Sequence, residues 1–219
     1  MMWKSHASTG WLGGAGAAWL YTPSPAIRIT LGLVTAGWAI WPDADHPNSK
    51  FTRSLPPVTT LLSRLIRGFS RIVYLLTRTE KDRKVAGRHR MITHTFWWAI
   101  FTGGITFWFC DWRSLPTTVG VLAAVTSWLG CCIHCAGDDL TESGVPFWAP
   151  LIKINGQRWY RVHLLPEKLR FTTNTGVETF LYRAVFLPGS VLLFPGVSPV
   201  VGRVLAGAWH LASPHLPHP

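Results

Sequence analysis

The sequence predicts an all-α protein, a polytopic membrane helical bundle of about four to five spans with a metal site at its cytoplasmic end. Only 14% of the 219 residues are charged, while the chain contains 13 Trp and 11 Phe. Several stretches with almost no charge approach the roughly 17–25 residues that a bilayer-crossing helix needs. A soluble helical protein would need more polar surface than this composition supplies. The length suits one membrane-embedded domain, 1–219.

Four apolar stretches are predicted to cross the membrane, a short one at 8–21 and longer ones at 26–41, 91–110 and 115–135. The segment before the first stretch resembles neither a signal peptide nor a transit peptide, so this span is expected to stay in the mature protein. A fifth apolar region, 180–211, is interrupted by three prolines. It is predicted to form one kinked span or a broken pair, and the sequence leaves both open.

Basic residues are concentrated in a loop at 49–88, between the second and third predicted spans. Eleven of the 21 Lys and Arg residues lie between positions 50 and 90. The positive-inside rule therefore predicts that this loop is cytoplasmic. Within it, Arg64, Arg67 and Arg71 alternate with apolar residues at helical spacing, which indicates an amphipathic helix suited to anionic lipid headgroups. A basic face that packs on its own protein remains an alternative, and no motif favours nucleic acid.

Residues that commonly bind metal ions fall at the ends of the predicted spans. The turn Pro42-Asp-Ala-Asp-His-Pro47 follows the second span, and His134 and Asp138 end the fourth. Residues four apart share a helix face, so these two side chains could hold one ion. Alternation of the spans puts His6 and all of these segments on one side of the membrane. With the basic loop inside, that side is the cytoplasmic one.

The predicted site comprises eleven residues. The predicted metal ligands are His6, Asp45, His46, His89, His94, His134, Asp138 and Glu178, the predicted catalytic residues are Asp43 and Arg90, and Arg170 is predicted to bind substrate. This many groups would hold two or three ions of zinc type, which activate water and clamp the oxygens of a phosphoester. The two arginines could pair with phosphate in fork geometry. Each motif also has a plainer interpretation, because Asp-rich turns cap helices and a single His within a span is often a core residue.

Three blocks of sequence together resemble one known family. Trp-Pro-Asp-Ala-Asp-His-Pro-Asn-Ser at 41–49, His-Arg-Met-Ile-Thr-His-Thr at 89–95, and the block at 134–150 that begins His-Cys-Ala-Gly-Asp-Asp resemble the YdjM-like family of inner-membrane-bound, metal-dependent hydrolases. The resemblance implies a bacterial or phage origin and a location in the cytoplasmic membrane. The His-x-x-x-Asp pair and a later Glu are also similar to zinc-dependent phospholipases C, which use three zinc ions. Asn174 stands where those enzymes have a His ligand, and Met91 stands where the family usually has Gly.

Residue patterns and resemblance together favour a membrane-bound hydrolase of a phosphoester in a lipid or in a membrane-adjacent substrate. Membrane lipids and that substrate are the expected partners. Two other functions stay open at this point. A transporter or metal-handling protein would use His and Asp at the span ends as a pathway. A membrane-tethered interaction protein would bind a cytosolic partner through the basic loop.

Overall fold

The computed structural model describes residues 2–22, 24–82, 89–194, 197 and 200. The five long helices are α1 (Trp3–Tyr21), α2 (Pro25–Trp38), α3 (Val58–Thr77), α4 (Phe96–Trp112) and α5 (Thr117–Asp139). The short elements are three 3₁₀ turns, η1 (Trp41–Asp45), η2 (Ile92–His94) and η3 (Glu167–Leu169), and α6 (Gly176–Leu181), a π-helical segment (Tyr182–Phe186) and α7 (Leu187–Leu192). Within the described residues, β-pairing is limited to isolated bridges, so the prediction of an all-α fold is confirmed.

Four of the long helices correspond to the predicted spans, with shifted ends. α1 begins five residues before the predicted stretch 8–21, and α5 continues four residues beyond 135. Among the described helices, α5 alone is both long and apolar enough to pass as a membrane span. The number of spans therefore stays a prediction. Of the region 180–211, residues 195–196, 198–199 and all those from 201 onwards lie outside the described residues, so the prediction of a kinked span or a broken pair is not tested there.

The start of α4 corrects one expectation, namely that His94 lies within the first turns of the third span. The helix begins at Phe96, where the Thr95 hydroxyl accepts a hydrogen bond from the Trp98 amide at 3.2 Å. Such an N-cap satisfies an amide that has no partner within the helix. His94 instead lies in η2, just outside the helix. An apolar residue pattern does not separate this 3₁₀ turn from the helix that follows it.

Helices α1, α2 and α5 pack closely because glycines stand at their contacts. A Cβ atom added to Gly130 of α5 would lie 2.7 Å from the Thr35 carbonyl oxygen and 2.9 Å from the Ala39 amide nitrogen. A Cβ at Gly14 of α1 would lie 2.4 Å from the Thr35 hydroxyl oxygen. Small residues that let helix backbones approach are typical of membrane helix contacts. This contact fixes the end of α2, which leads into η1, beside the helix that carries His134 and Asp138.

Replacing Gly130 by Ala is expected to lower the free energy of unfolding by about 1–3 kcal/mol, because a methyl group must push two backbones apart. Gly104→Ala in α4 is the matched control, since a Cβ there meets nothing within 4 Å. Its stability should be unchanged or slightly higher, because Ala favours helix over Gly. Thermal unfolding of both variants in detergent checks this, and equal losses would contradict the close contact.

At one end of the bundle, α3 packs against η1 and η2. A buried core fills this end, formed by Tyr74, Met91, Ile92, Trp98, Ala149 and Trp159. The Ile92 amide also donates a hydrogen bond to the Ser70 hydroxyl of α3 at 3.3 Å. Both 3₁₀ turns are thus fixed on one side by α3. On the other side they meet the C-terminal end of α5.

Candidate metal centre

Four separate elements contribute the central side chains of a buried cluster of imidazoles and carboxylates. His6 comes from α1, Asp43 from η1, His94 from η2, and His134 and Asp138 from the last two turns of α5. The three imidazoles and the Asp138 carboxylate are wholly or almost wholly buried, while Asp43 is 15% exposed. The helices and 3₁₀ turns thus bring these distant segments of the chain together.

The imidazoles of His94 and His134 face each other through their Nε2 atoms, which lie 3.1 Å apart. Nδ1 of His134 lies 2.7 Å from the Ala39 carbonyl oxygen and must donate to it, because a carbonyl can only accept. Nδ1 of His94 lies 2.9 Å from the Thr93 hydroxyl, which itself donates to Asp45 at 3.0 Å and so accepts from the imidazole. When each ring carries a single proton, its lone pair is therefore on Nε2. Two lone pairs so close favour a cation between them.

Asp138 is held between imidazoles and a guanidinium. Its Oδ2 lies 3.4 Å from His94 Nε2 and 3.6 Å from His134 Nε2. Arg90 donates to both of its oxygens, from Nε to Oδ2 and from Nη2 to Oδ1, each at 2.9 Å. Nη1 of Arg90 also donates to the Thr141 hydroxyl. The forked pair fixes the carboxylate, and it holds Arg90 at φ +65°, which is strained for a residue other than Gly.

Asp43 connects this centre to His89. Its Oδ1 lies 3.2 Å from His89 Nε2, 3.6 Å from His134 Nε2 and 3.8 Å from His94 Nε2. Burial alone would raise the pKa of Asp43, but His134 and His89 hold it well below its usual range. For His89, burial alone would lower the pKa. Hydrogen bonds to Asp43 and Asp45 outweigh the effect of burial and raise the pKa of His89 to about 9. Binding of a metal ion by His89 would thus release a proton.

His6 completes the cluster from the α1 side. Its ring stacks on His134 with centroids 3.7 Å apart, and its Nε2 lies 3.4 Å from Asp138 Oδ1. Its Nδ1 has no hydrogen-bond partner among the described residues, although the side chain is wholly buried. A buried nitrogen of this kind is costly unless it gains a partner.

Three groups of these residues could hold a metal ion, namely His6 with Asp43 and His134, Asp43 with His89 and His94, and His94 with His134 and Asp138. The ligand atoms of each group lie within 4.8 Å of one another. Within the third group, the separations between ligand atoms run from 3.1 to 3.6 Å. Ligands at tetrahedral zinc distances are about 3.3 Å apart, so these residues fit such an ion. Asp43, His94 and His134 each belong to two groups. A carboxylate can bind two ions at once and an imidazole nitrogen cannot, so Asp43 would connect neighbouring positions.

A cleft of about 720 Å³ leads to this cluster from outside. Asp43, His89 and Arg90 line it on the cluster side. Apart from Trp3 and Ile40, its remaining lining is polar or basic. Most of these residues come from the segment before α3, namely Asn48, Ser49, Lys50, Arg53 and Ser54. The Lys50 ammonium lies 5.3 Å from the ring centroid of Trp3, another lining residue. Two cations beside the cleft favour an anionic ligand.

Several predicted site residues lie outside the three groups. Asp45 accepts hydrogen bonds from His89 and Thr93, so it orients the histidines. The His46 ring lies edge-on to His89 at 4.8 Å, and its Nδ1 accepts the Asn48 amide. Its pKa is lowered by burial and by His89.

Two further predicted residues belong to none of the three groups that could hold a metal ion. Glu178 is fully buried and accepts hydrogen bonds from the backbone amides of Met2 and Asn174. Asn174 itself has φ +62°, in the turn before α6. Arg170 donates to the Leu165 carbonyl and lines a second cavity. Their roles as ligand and substrate-binding residue stay predictions.

The sequence reasoning missed three contributors. The Ala39 carbonyl leaves no signal in a sequence, because any residue has one. Lys50 and Arg53 were counted only as part of the basic loop, although they follow the Asp-rich turn by a few residues and line the same cleft. Their position next to that turn was the available signal.

Comparison with known proteins places this cluster in a family. No curated protein and no solved structure matches the chain. Over residues 1–208, however, the chain matches the family described as YdjM inner membrane protein. This range includes every residue of the cluster and all of the described helices. The family description supports an inner-membrane location, in agreement with the apolar α5. The chain therefore belongs to the YdjM inner membrane protein family.

Proposed function

We propose that this protein is a membrane-bound, metal-dependent hydrolase that cleaves a phosphoester in a lipid or a membrane-adjacent substrate, on the cytoplasmic side of the inner membrane. The observation that carries the proposal is the pair of imidazole Nε2 atoms, from His94 and His134, that face each other at 3.1 Å with both Nδ1 atoms engaged elsewhere. This arrangement supports metal binding because two nitrogen lone pairs at this distance repel each other unless a proton or a metal ion lies between them.

Zinc is the metal that the proposal assigns, in two or three positions. Its ligands would be His6, Asp43, His89, His94, His134 and Asp138. Imidazole and carboxylate donors without thiolate suit a catalytic zinc site. Cations bound there would polarise a phosphoryl oxygen and lower the pKa of water at the site.

The chain's own residues supply the remaining functions. Asp45 and Thr93 orient the rings of His89 and His94. Lys50 and Arg53 beside the cleft would attract the phosphate group and align it towards Asp43. Arg90, which was predicted to bind phosphate, is engaged by Asp138, so we assign it the positioning of that carboxylate.

Metal content and hydrolysis test the proposal together. Detergent-purified wild-type protein should contain two or three equivalents of zinc per chain by elemental mass spectrometry. A screen of lipid phosphoesters should then give an activity that a chelator removes and added zinc restores. Folded protein without stoichiometric metal would overturn the proposal. Stoichiometric metal with metal-dependent flux in proteoliposomes, and no hydrolysis, would favour a transporter instead.

Replacing Thr93 by Val is expected to weaken metal affinity by about 10–100-fold, which is typical for residues that orient metal-binding histidines. The change removes the hydroxyl that connects Asp45 to His94 but keeps the side-chain shape. Thr93→Ser should restore the affinity. Thr102→Val is the matched control, because that buried hydroxyl bonds to the Trp98 carbonyl within α4 and to the Cys131 side chain, neither of which belongs to the cluster. Competition with a chromophoric chelator measures the affinities, and equal values for both Val variants would contradict the orienting role.

A further inference from the structure

Helix α3 has an unusual distribution of side chains, because its buried face is largely polar. The buried residues are Thr59, Ser63, Ile66, Ser70 and Tyr74. At 100° per residue they fall within an arc of about 80° on the helix. In a helix that packs on a protein in water, the buried face is normally the apolar one. Contacts with η1 and η2 alone therefore do not explain why the buried face of α3 is polar and its exposed face apolar.

Most of the apolar residues of α3 are exposed, whereas Ile66 and Tyr74 are buried. Six of the exposed residues form a second arc of about 80°, centred roughly 140° from the buried one. Its members are Val58, Leu61, Leu65, Phe69, Ile72 and Leu76, each 52–80% exposed. Contiguous apolar surface of this size marks a binding surface. We call these six residues the apolar face of α3.

Arginines border this apolar face on one side. Arg64 and Arg71 are exposed and lie about 100–120° around the helix from the centre of the apolar face. Arg67, half-buried, continues the same side. Such a helix can insert its apolar face at the acyl-chain boundary of a bilayer while its arginines meet the headgroup phosphates. A protein partner would have no corresponding need for a row of cations beside the apolar residues.

Other outward-facing helices carry a similar apolar surface. α4 exposes Phe101, Trp108 and Phe109, and α5 exposes Val121 and Val125. These helices belong to a chain of an inner-membrane family, so their apolar surface faces lipid. The bilayer that surrounds them is thus the apolar phase nearest to α3.

We propose that α3 is an interfacial helix that docks on an anionic lipid surface, with its apolar face in the acyl-chain boundary and with Arg64 and Arg71 at the headgroup phosphates. The docking does not depend on a metal ion. Because α3 packs directly against η1 and η2, which carry Asp43 and His94, it holds the candidate metal centre close to headgroup depth. For the proposed hydrolase, this would favour lipid phosphate as the substrate, and that consequence alone rests on the proposed function.

Fluorophores at neighbouring positions of α3 test the docking. The full chain is reconstituted with one copy per nanodisc, in phosphatidylglycerol-containing or in purely phosphatidylcholine discs. An environment-sensitive thiol dye is attached through Leu65→Cys or, as the matched control one residue away, Arg64→Cys. Ile72→Cys is a second position on the apolar face. The native cysteines are buried or half-buried, and labelled wild type gives their background. Far-ultraviolet circular dichroism checks that each variant is folded.

We expect the dyes at 65 and 72 to lose most of their fluorescence to lipids with a nitroxide on the acyl chain, and little to an aqueous quencher. The dye at 64 should respond more to a headgroup nitroxide. Quenching by acyl-chain nitroxide should be stronger in anionic discs than in neutral ones. Quenching of both dyes by the aqueous quencher would overturn the proposal. So would protection that needs several copies per disc, which indicates a second chain as the partner, or equal quenching in both lipids.

Discussion

Replacing Asp138 by Asn is expected to lower the metal affinity of the cluster by more than about 100-fold, beyond the loss typical for an orienting residue. The change removes the one negative charge that lies within 3.6 Å of His6, His94 and His134 together. An amide also offers a weaker ligand oxygen than a carboxylate. Elemental mass spectrometry of the purified variant should find at least one equivalent of metal missing, with hydrolysis lost in parallel.

Asp139→Asn is the matched control for this prediction. Asp139 is the next residue and is also buried, but its Oδ1 accepts the Val145 amide at 3.1 Å, a hydrogen bond that Asn can keep. The metal content of the Asp139→Asn variant should equal that of the wild type. Asp138→Asn also leaves Arg90 buried without its partner, which can cost about 3–5 kcal/mol of stability. His134→Gln preserves that ion pair and should lose metal as well, so folded His134→Gln with full metal content would contradict the assignment.

The helices were predictable because the bilayer requires long apolar stretches, and the sequence displays those directly. The residues at which the helices begin and end were less predictable. At 89–95 the chain takes a left-handed φ at Arg90 and then the η2 turn, which brings the rings of His89 and His94 to 4.9 Å. A continuous helix would have set residues five apart on different faces. The local turn that makes this contact depends on the Arg90–Asp138 pair, a contact 48 residues apart in sequence.

The sequence predicted which residues form the cluster. It did not predict which of them could bind a metal ion and which orient the others. His134 and Asp138 follow from helical spacing, and the alternation of spans brought His6 and Asp43 to the same end. The sequence gives no measure of which carboxylate contacts an imidazole and which contacts backbone. Asp45 thus orients two residues of the cluster, and Glu178 instead accepts two backbone amides. Long-range hydrogen bonds of this kind depend on packing, which single-sequence patterns do not contain.

Replacing Asp43 by Asn is expected to abolish hydrolysis while leaving part of the metal bound. Its Oδ1 is the carboxylate oxygen within 3.8 Å of His89, His94 and His134. It belongs to two of the three candidate groups, whereas the third, His94 with His134 and Asp138, does not need it. Two cations in neighbouring positions repel each other, and a shared anion offsets that repulsion. The variant should therefore keep about one ion per chain and lose the others, because the remaining group still offers the three ligands usual for zinc.

Folding should survive this change, because Asp43 lies at the cleft and its side chain is partly exposed. Asp111→Asn, at the exposed end of α4, is the matched control and should keep both metal and activity. Metal content, hydrolysis and thermal unfolding are measured on the same preparations. Full metal content with full activity in Asp43→Asn would contradict the prediction, because it would show that the metal positions do not depend on the Asp43 carboxylate. Loss of all metal would show instead that Asp43 is needed for the first ion, so the group of His94, His134 and Asp138 could not hold one alone.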